Sequence, residues 1–309
     1  MSAPVSTGLG QDWPTYRIDG LILADDLGHV DEQGRHWWLT GEAGWSSGPV
    51  RRPQRDDRVQ GDGTFRGPSQ AGGKEVTLRG TVALAAESQR EPTLLELAGF
   101  CGDGGRLYEL RRTAGPYDLV RYVEVDGEPD IDDSNRWMID FQFALYAPDP
   151  RKCDWAWQQP VCHPPAPTPG GLSFPLNFGG TGLDFGSPLP DSTVAQVGNY
   201  GTAPARPLLR LEGPLSAPAV LHRETGRALR YLDDLAEGEV LHVNCDGVAQ
   251  GGVAAHAVRS SVRGNVASLL VREGRDWPTV DPQGAATFQL RATGSPAASL
   301  RVGLRSAWW

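Results

Sequence analysis

Apolar and polar residues alternate at every second position along much of this chain. The clearest example is the segment RWMIDFQFALY, where Trp137, Ile139, Phe141, Phe143 and Leu145 share one face. A period of two is that of a β-strand with one buried face, so the segment is predicted to be a strand with these side chains in a core. The segments EVTLRGTVAL and DLVRYVEV repeat the pattern. The first half of the chain is therefore predicted to be a β-sandwich or barrel.

Two local features complete this first domain. The acidic segment DGEPDIDDSN separates DLVRYVEV from RWMIDFQFALY, and it is predicted to be the turn of a hairpin formed by those two strands. The segment EPTLLELAGF predicts one short helix, because Pro92 suits a first helical position and Gly99 suits its end.

A long polar segment, residues 48–68, interrupts the strand pattern. It reads GPVRRPQRDDRVQGDGTFRGP, with five arginines and three aspartates. Structureless loops longer than about 12 to 15 residues usually have a function or are linkers. We interpret the segment as an extended arm that contacts another subunit; the alternative is a flexible surface loop. The residues predicted to make the contact are Arg51, Arg52, Arg55, Asp56, Asp57, Arg58, Phe65 and Arg66.

A proline-rich segment and a second series of short strands follow the first domain. Residues 151–197 are predicted to be a linker or an extended wrapping segment, because proline removes a backbone donor and fixes φ. Strand patterns resume in PLLRLEG, PAVLH, RALRYL, EVLHVNC, ASLLVRE, ATFQLRA and SLRVGLRSAWW. Strands at this spacing predict a β-sandwich. The expected domains are thus residues 1–150 and 198–309, joined by the linker.

Composition and charge narrow the classes of function. A length of 309 residues predicts about two domains. A net charge of -9 provides no basic field for nucleic acid, so no nucleic-acid partner is expected. No apolar run is long enough to span a bilayer, and the first residues lack the pattern of a signal peptide. The protein is therefore expected to be made in the cytosol and to remain soluble.

Sequence signatures of catalysis and cofactor binding are missing. The chain has no nucleophile elbow, no zinc-protease motif and no phosphate-binding loop, so we predict neither an enzyme nor a cofactor. A hydrolase with a carboxylate pair stays open as a minor alternative. The four cysteines are predicted to be free thiols, with zinc binding by Cys153, Cys162 and His163 as an unfavoured alternative.

Two further segments allow a binding function. Acidic residues recur at every second position in residues 126–133, as they do in calcium loops, but Gly127 and Trp137 do not fit the EF-hand pattern. A solvated hairpin tip is favoured there. Among the ten tryptophans, Trp155 and Trp157 are the least explained by a core, and they are the candidates for a partner or sugar surface.

Several segments, in their order along the chain, resemble the distal tail proteins of long-tailed bacteriophages, especially the minor tail proteins of actinobacteriophages. The arm followed by EVTLRGTVAL resembles the arm and returning strand of that family, and FQFALYAPDPRK resembles the close of its first domain. GNYGTAPARPLLRLEGPLSAPAVLHRETGRALRY and LAEGEVLHVNCDG resemble the start of its galectin-like second domain. The last strands, ATFQLRA and LRVGLRSAWW, also match.

The resemblance implies a structural protein of the virion. Its members form a six-fold ring at the tail tip, between the tail tube and the tip or central hub proteins. The first domain makes the ring, and the second holds receptor-binding or other tip proteins. A carbohydrate-binding module that recognises host wall sugars is the alternative function. A galectin-like shape alone does not confer sugar binding.

Overall fold

The chain folds into two compact units. The computed structural model describes residues 14–25, 27–58, 60–165, 192–248 and 255–309. One unit comprises residues 1–156 with Trp308 and Trp309, and the other comprises residues 157–307. The described parts of the predicted linker, 151–165 and 192–197, contain strand residues, so they are built into sheets. The rest of that linker lies outside the described residues.

The first unit is a β-barrel with one short helix, α1 (Arg90–Ala98), preceded by a 3-10 turn (Glu87–Gln89). Its strands are β1 Thr15–Ile18, β2 Leu21–Ala24, β3 His29–Val30, β4 His36–Ala43, β5 Arg51–Asp57, β6 Thr64–Ala71, β7 Lys74–Ala83, β8 Tyr108–Ala114, β9 Tyr117–Val125, β10 Asp130–Asp132, β11 Met138–Ala147 and β12 Lys152–Asp154. The barrel strands pair in the order β11, β7, β4, β2, β1, β8 and β9, and a pairing of β9 with β11 closes the ring.

Strand β11 is the centre of the barrel core, as its alternating pattern predicted. Its inward side chains include Ile139 and Phe143, both fully buried, and Phe143 stacks on Phe100 at 4.1 Å between ring centroids. Phe141 lies opposite Gly80 of β7. A Cβ on Gly80 would lie 2.4 Å from the Phe141 ring, so glycine leaves the space that this ring needs.

Helix α1 is fixed to the barrel through a buried arginine. The Arg35 guanidinium donates hydrogen bonds to Asp31 at 2.7 Å, to Thr93 at 3.0 Å and to Glu96 at 2.6 Å. Thr93 and Glu96 belong to α1, so this single cation joins the helix to the loop between β3 and β4. Pro92 is the third helical residue instead of the first, but it still lies in the first turn, where its missing N–H costs nothing.

The acidic segment differs from its prediction. β11 pairs with β7 over ten residues, from Met138 to Ala147, and meets β9 only at its far end. Residues 130–132 are strand β10, which pairs with the first half of β11, so the reversal of the chain comes later, before Met138. Trp137 lies in this reversal and is 47% exposed, which corrects its predicted burial.

The second unit is a β-sandwich. Its strands are β13 Val161–Cys162, β14 Val194–Asn199, β15 Leu208–Glu212, β16 Leu215–His222, β17 Arg227–Tyr231, β18 Val240–Asn244, β19 Val258–Ser260, β20 Gly264–Asn265, β21 Leu270–Arg272, β22 Gly284–Gly294 and β23 Ser299–Gly303; β24, Ala307–Trp308, follows them at the end of the chain. One sheet has the strand order β13, β23, β15, β18, β19, β20, and the other has the order β14, β22, β16, β17, β21. The mainly β fold class is confirmed.

Two general features complete the fold. All four cysteines are free thiols, as predicted, and three of them, Cys101, Cys162 and Cys245, are buried. Within the described ranges, no helix has the length and apolar character required to cross a bilayer.

Candidate subunit interface

The polar segment predicted to be an arm forms a two-stranded antiparallel ribbon. Strands β5 and β6 pair from Arg51 opposite Ala71 to Asp57 opposite Thr64, with an irregularity between Pro53 and Arg55. Neither strand pairs with any other strand in the described part of the chain. We call residues 51–71 the ribbon. A two-stranded sheet without a hydrophobic face is at best marginally stable in water, so further contacts are needed to hold it in one position.

Every predicted contact residue lies on this ribbon. Arg51, Arg52, Arg55, Asp57 and Arg58 are exposed. Phe65 is also 61% exposed, and its ring is contacted by the Arg58 guanidinium at 5.5 Å. The backbones of Asp56 and Arg66 lie in β5 and β6, opposite Phe65 and Arg55.

In the described part of the chain, the contacts that hold the ribbon lie at its base. Lys74 donates hydrogen bonds to the hydroxyl of Ser47 at 2.6 Å and to the carbonyl of Gly48 at 3.2 Å. The Arg51 guanidinium lies 5.0 Å from the ring centroid of Trp309. Beyond these contacts the ribbon's described side chains face solvent, so the charged surface is available to a partner.

Two buried cations lie within the same unit, and the sequence analysis missed them. Arg121 is 1% exposed, contacts the Trp45 ring at 5.0 Å and donates one hydrogen bond to Pro150 at 3.0 Å. Burial lowers its pKa to about 10. Lys152 donates to the carbonyl of Trp45 at 3.3 Å, and burial together with the charge of Arg121 lowers its pKa to about 8.

A sequence signal for Arg121 was present. Arg121 stands between Leu119 and Val123 at the apolar positions of β9, both of which belong to the barrel core. A charged residue at a core position of an alternating strand is unusual, because burying a charge is costly unless it is paired or hydrogen-bonded. Arg121 therefore indicates a polar site inside the barrel.

The two tryptophans predicted as a binding surface belong to different units. Trp155 is 38% exposed, and the Arg111 guanidinium lies 4.1 Å from its ring centroid. It lines a groove of about 480 Å³ in the first unit, together with Tyr122 and residues of β1 and β8. In the second unit, Trp157 is contacted by the Arg305 guanidinium at 4.5 Å.

The residues considered as metal ligands do not converge. Within the described ranges, no group of three or more His, Cys, Asp or Glu side chains is arranged to hold a metal ion. Cys162 is buried, and the His163 ring donates a hydrogen bond to the carbonyl of Ala298 at 2.9 Å.

Comparisons with solved structures find phage proteins among the matches. The crystal structure of the Dit protein of phage SPP1, described as a paradigm of the hub adsorption apparatus in phages that infect Gram-positive hosts, matches with a TM-score of 0.58 and 13% identity. The match covers 96% of this chain and 99% of that protein. A chain of the phage P2 baseplate in its activated conformation with calcium matches with a TM-score of 0.52 and 9% identity, over 94% of this chain and 97% of the other.

The same baseplate in its activated conformation with strontium gives a TM-score of 0.50 at 9% identity, over 94% of this chain and 97% of the other. No protein-family model and no curated protein matches the chain. The resemblance to distal tail proteins is therefore confirmed at the level of the fold, which this chain shares with a phage tail hub protein over nearly its whole length.

Proposed function

We propose that this chain is a structural hub protein of a bacteriophage tail, whose copies associate through the ribbon. In the assembled virion, six copies form a ring between the tail tube and the tail tip. The barrel forms the body of the ring, and the sandwich serves as a docking platform for tip or receptor-binding proteins. The chain acts by shape and contact.

The observation that supports this proposal is the ribbon itself. The eight residues of β6 span about 26 Å at about 3.3 Å per residue, which is long enough to reach across a neighbouring subunit. Its exposed guanidinium groups favour charge-assisted hydrogen bonds, and Phe65 offers an apolar anchor. A ribbon that binds a different surface of the next copy makes a heterologous contact, and such a contact closes a ring when the rotation between copies divides a full turn.

Deletion of residues 56–63 tests the proposal. The barrel is expected to fold without the tip of the ribbon, because no barrel strand pairs with β5 or β6. Sedimentation velocity over a wide concentration range should show assemblies of the intact chain and only monomers of the deletion variant. Equal far-UV circular dichroism of the two proteins is the folding control. Rings of the deletion variant, or an intact chain that stays monomeric at every concentration, would refute the proposal.

Sugar binding is the second candidate function. It is favoured by the groove of about 480 Å³ beside Trp155, where an aromatic ring lies among polar side chains. Calorimetric titration of the intact chain with wall polysaccharide measures this activity. Loss of binding in Trp155→Ala, with binding retained in Trp137→Ala as the matched exposed tryptophan, would support the second candidate.

A further inference from the structure

Besides the positively charged ribbon, the first unit has an edge strand that carries negative charge. Strand β10 is the last strand of its sheet on that side and pairs only with β11 among the described strands. Its other edge presents backbone N–H and C=O groups that are open to another strand. An exposed edge of this kind is a template for pairing with a second chain.

The side chains along this edge are acidic. Asp126, Glu128, Asp130 and Asp132 are exposed, whereas Ile131 points to the barrel core. No ion pair joins these four carboxylates to a described residue. The edge thus combines free backbone groups with a row of uncompensated negative charge.

The pairing of β10 with β11 places a further negative charge beside this edge. Asp132 lies directly opposite Asp140 of β11, and like charges at directly opposed positions destabilise a strand pair. Asp140 accepts a hydrogen bond from the hydroxyl of Thr81, and Asp132 accepts one from the backbone of Ser134 at 3.0 Å. Neither hydrogen bond brings a positive charge to these two carboxylates, so they would attract a cation from another chain.

A groove beside these carboxylates can take a side chain. Its volume is about 200 Å³, and Asp130, Asp132 and Asp140 line it above Gly80. The one cation at its wall, Arg79, donates a hydrogen bond to the Gln142 side chain at 2.6 Å. Three carboxylates against one guanidinium leave the groove negative.

The ribbon has the complementary properties. It presents a free edge of its own, and Arg51, Arg52, Arg55 and Arg58 have no ion-pair partner among the described residues. We infer that the ribbon of one copy docks along strand β10 of the next copy, with ribbon arginines facing Asp130, Asp132 and Asp140. This inference rests on the proposed function, for which it supplies the acceptor surface.

Docking of this kind satisfies two requirements together. Backbone groups of the ribbon and of β10 gain hydrogen-bond partners, and the opposed carboxylates gain cations at short range. Opposite potentials on the two surfaces also fix the register of the contact and disfavour pairing of two ribbons or of two acidic edges.

A charge exchange tests the inference. In the intact chain, Asp130→Arg with Asp132→Arg should lower the association constant by about a hundredfold or more. Arg55→Asp with Arg58→Asp should lower it similarly. All four substitutions in one chain should restore assembly, because the attraction is then reversed in sign. Glu91→Arg with Glu237→Arg is the matched control: it changes the net charge equally at exposed sites elsewhere, and assembly should persist.

Two outcomes separate this inference from the proposed function. If deletion of residues 56–63 abolishes assembly but the Asp130 and Asp132 variant assembles like the wild type, the ribbon docks elsewhere and the inference is wrong. If the deletion variant still assembles, the proposed function itself fails. Should the arginine variant not fold, Asp130→Asn with Asp132→Asn keeps the side-chain shape. That variant should weaken assembly and reduce its dependence on salt, and unchanged assembly would overturn the inference.

Discussion

Strand β11 and the ribbon are both antiparallel structures with regular pairing, but only β11 has a buried face. Every second side chain of β11, from Ile139 to Leu145, is buried in the barrel, whereas the described side chains of β5 are exposed. Burial of one large apolar side chain contributes about 1.5 to 3 kcal/mol to stability. Backbone hydrogen bonds can therefore shape the ribbon, while its fixed position depends on a partner.

Phenylalanine truncations test this contrast with the largest expected effect. Phe143→Ala should lower the free energy of unfolding by about 3 to 5 kcal/mol, because Phe143 is fully buried against Phe100. Urea denaturation measures the change. The matched truncation, Phe65→Ala on the ribbon, should alter it by less than about 0.5 kcal/mol and should weaken self-association. Equal destabilisation by both variants would contradict the contrast.

The next largest effect on stability is expected from substitutions of a buried and an exposed arginine. Arg35→Met should cost about 3 kcal/mol, because it leaves the partly buried carboxylate of Asp31 without its cation. Arg136→Met serves as the control: its ion pair with Glu87 is exposed on both sides and should be worth less than about 1 kcal/mol. Thermal unfolding at neutral pH checks the difference, and a control variant as unstable as Arg35→Met would refute the argument.

The buried lysine predicts a dependence on pH. The folded pKa of Lys152 is about 8, below its ordinary value of 10.5, so the unfolded chain binds more protons at this site between those values. The resulting cost is fully present below pH 8 and is relieved as pH rises, so this group makes the protein more stable toward pH 10.5. Its contribution is of the order of 1 to 3 kcal/mol.

The variant Lys152→Met isolates that contribution from those of the other titratable groups, which the two proteins share. Between pH 7.5 and 9.5, the wild type should gain stability relative to the variant. A difference in the free energy of unfolding that does not change with pH would show that Lys152 titrates normally.

The smallest effect is expected on the ribbon. Arg55→Ala with Arg58→Ala should change the free energy of unfolding by no more than about 0.5 kcal/mol, because both side chains are exposed and neither forms an ion pair with a described residue. The same variant should assemble less tightly and with a weaker dependence on salt. A loss of monomer stability above 1 kcal/mol would mean that the ribbon packs on its own barrel.

Predictions from the sequence succeeded where the signal was local. The alternation around Phe143 correctly identified β11, and the scarcity of apolar residues in 48–68 correctly separated that segment from the core. The prediction for Trp137 was wrong, because the strand begins at Met138 and the residue before it lies in the reversal. Helix α1 was correctly predicted from the local signals Pro92 and Gly99, but it begins at Arg90, two residues before the predicted first position.

Features that depend on residues far apart in the chain could not be predicted from the local sequence pattern. The acidic residues were predicted to be a hairpin tip, but Asp130 and Asp132 lie in an edge strand, since β9 diverges from β11 after two paired residues. The buried Arg121 could be suspected from its position in β9, but Trp45 and Pro150, which contact it, come from distant segments.

The sequence by itself determined which segments alternate as strands and which polar segment lies outside the barrel core. Tertiary structure alone decided that the strands close into a barrel, that Lys152 and Arg121 are buried, and that β10 remains an acidic edge. The physical reason is the distance along the chain between the residues that interact. Period-two alternation can be recognised from neighbouring residues, whereas strand partners and burial depend on residues far apart in the chain.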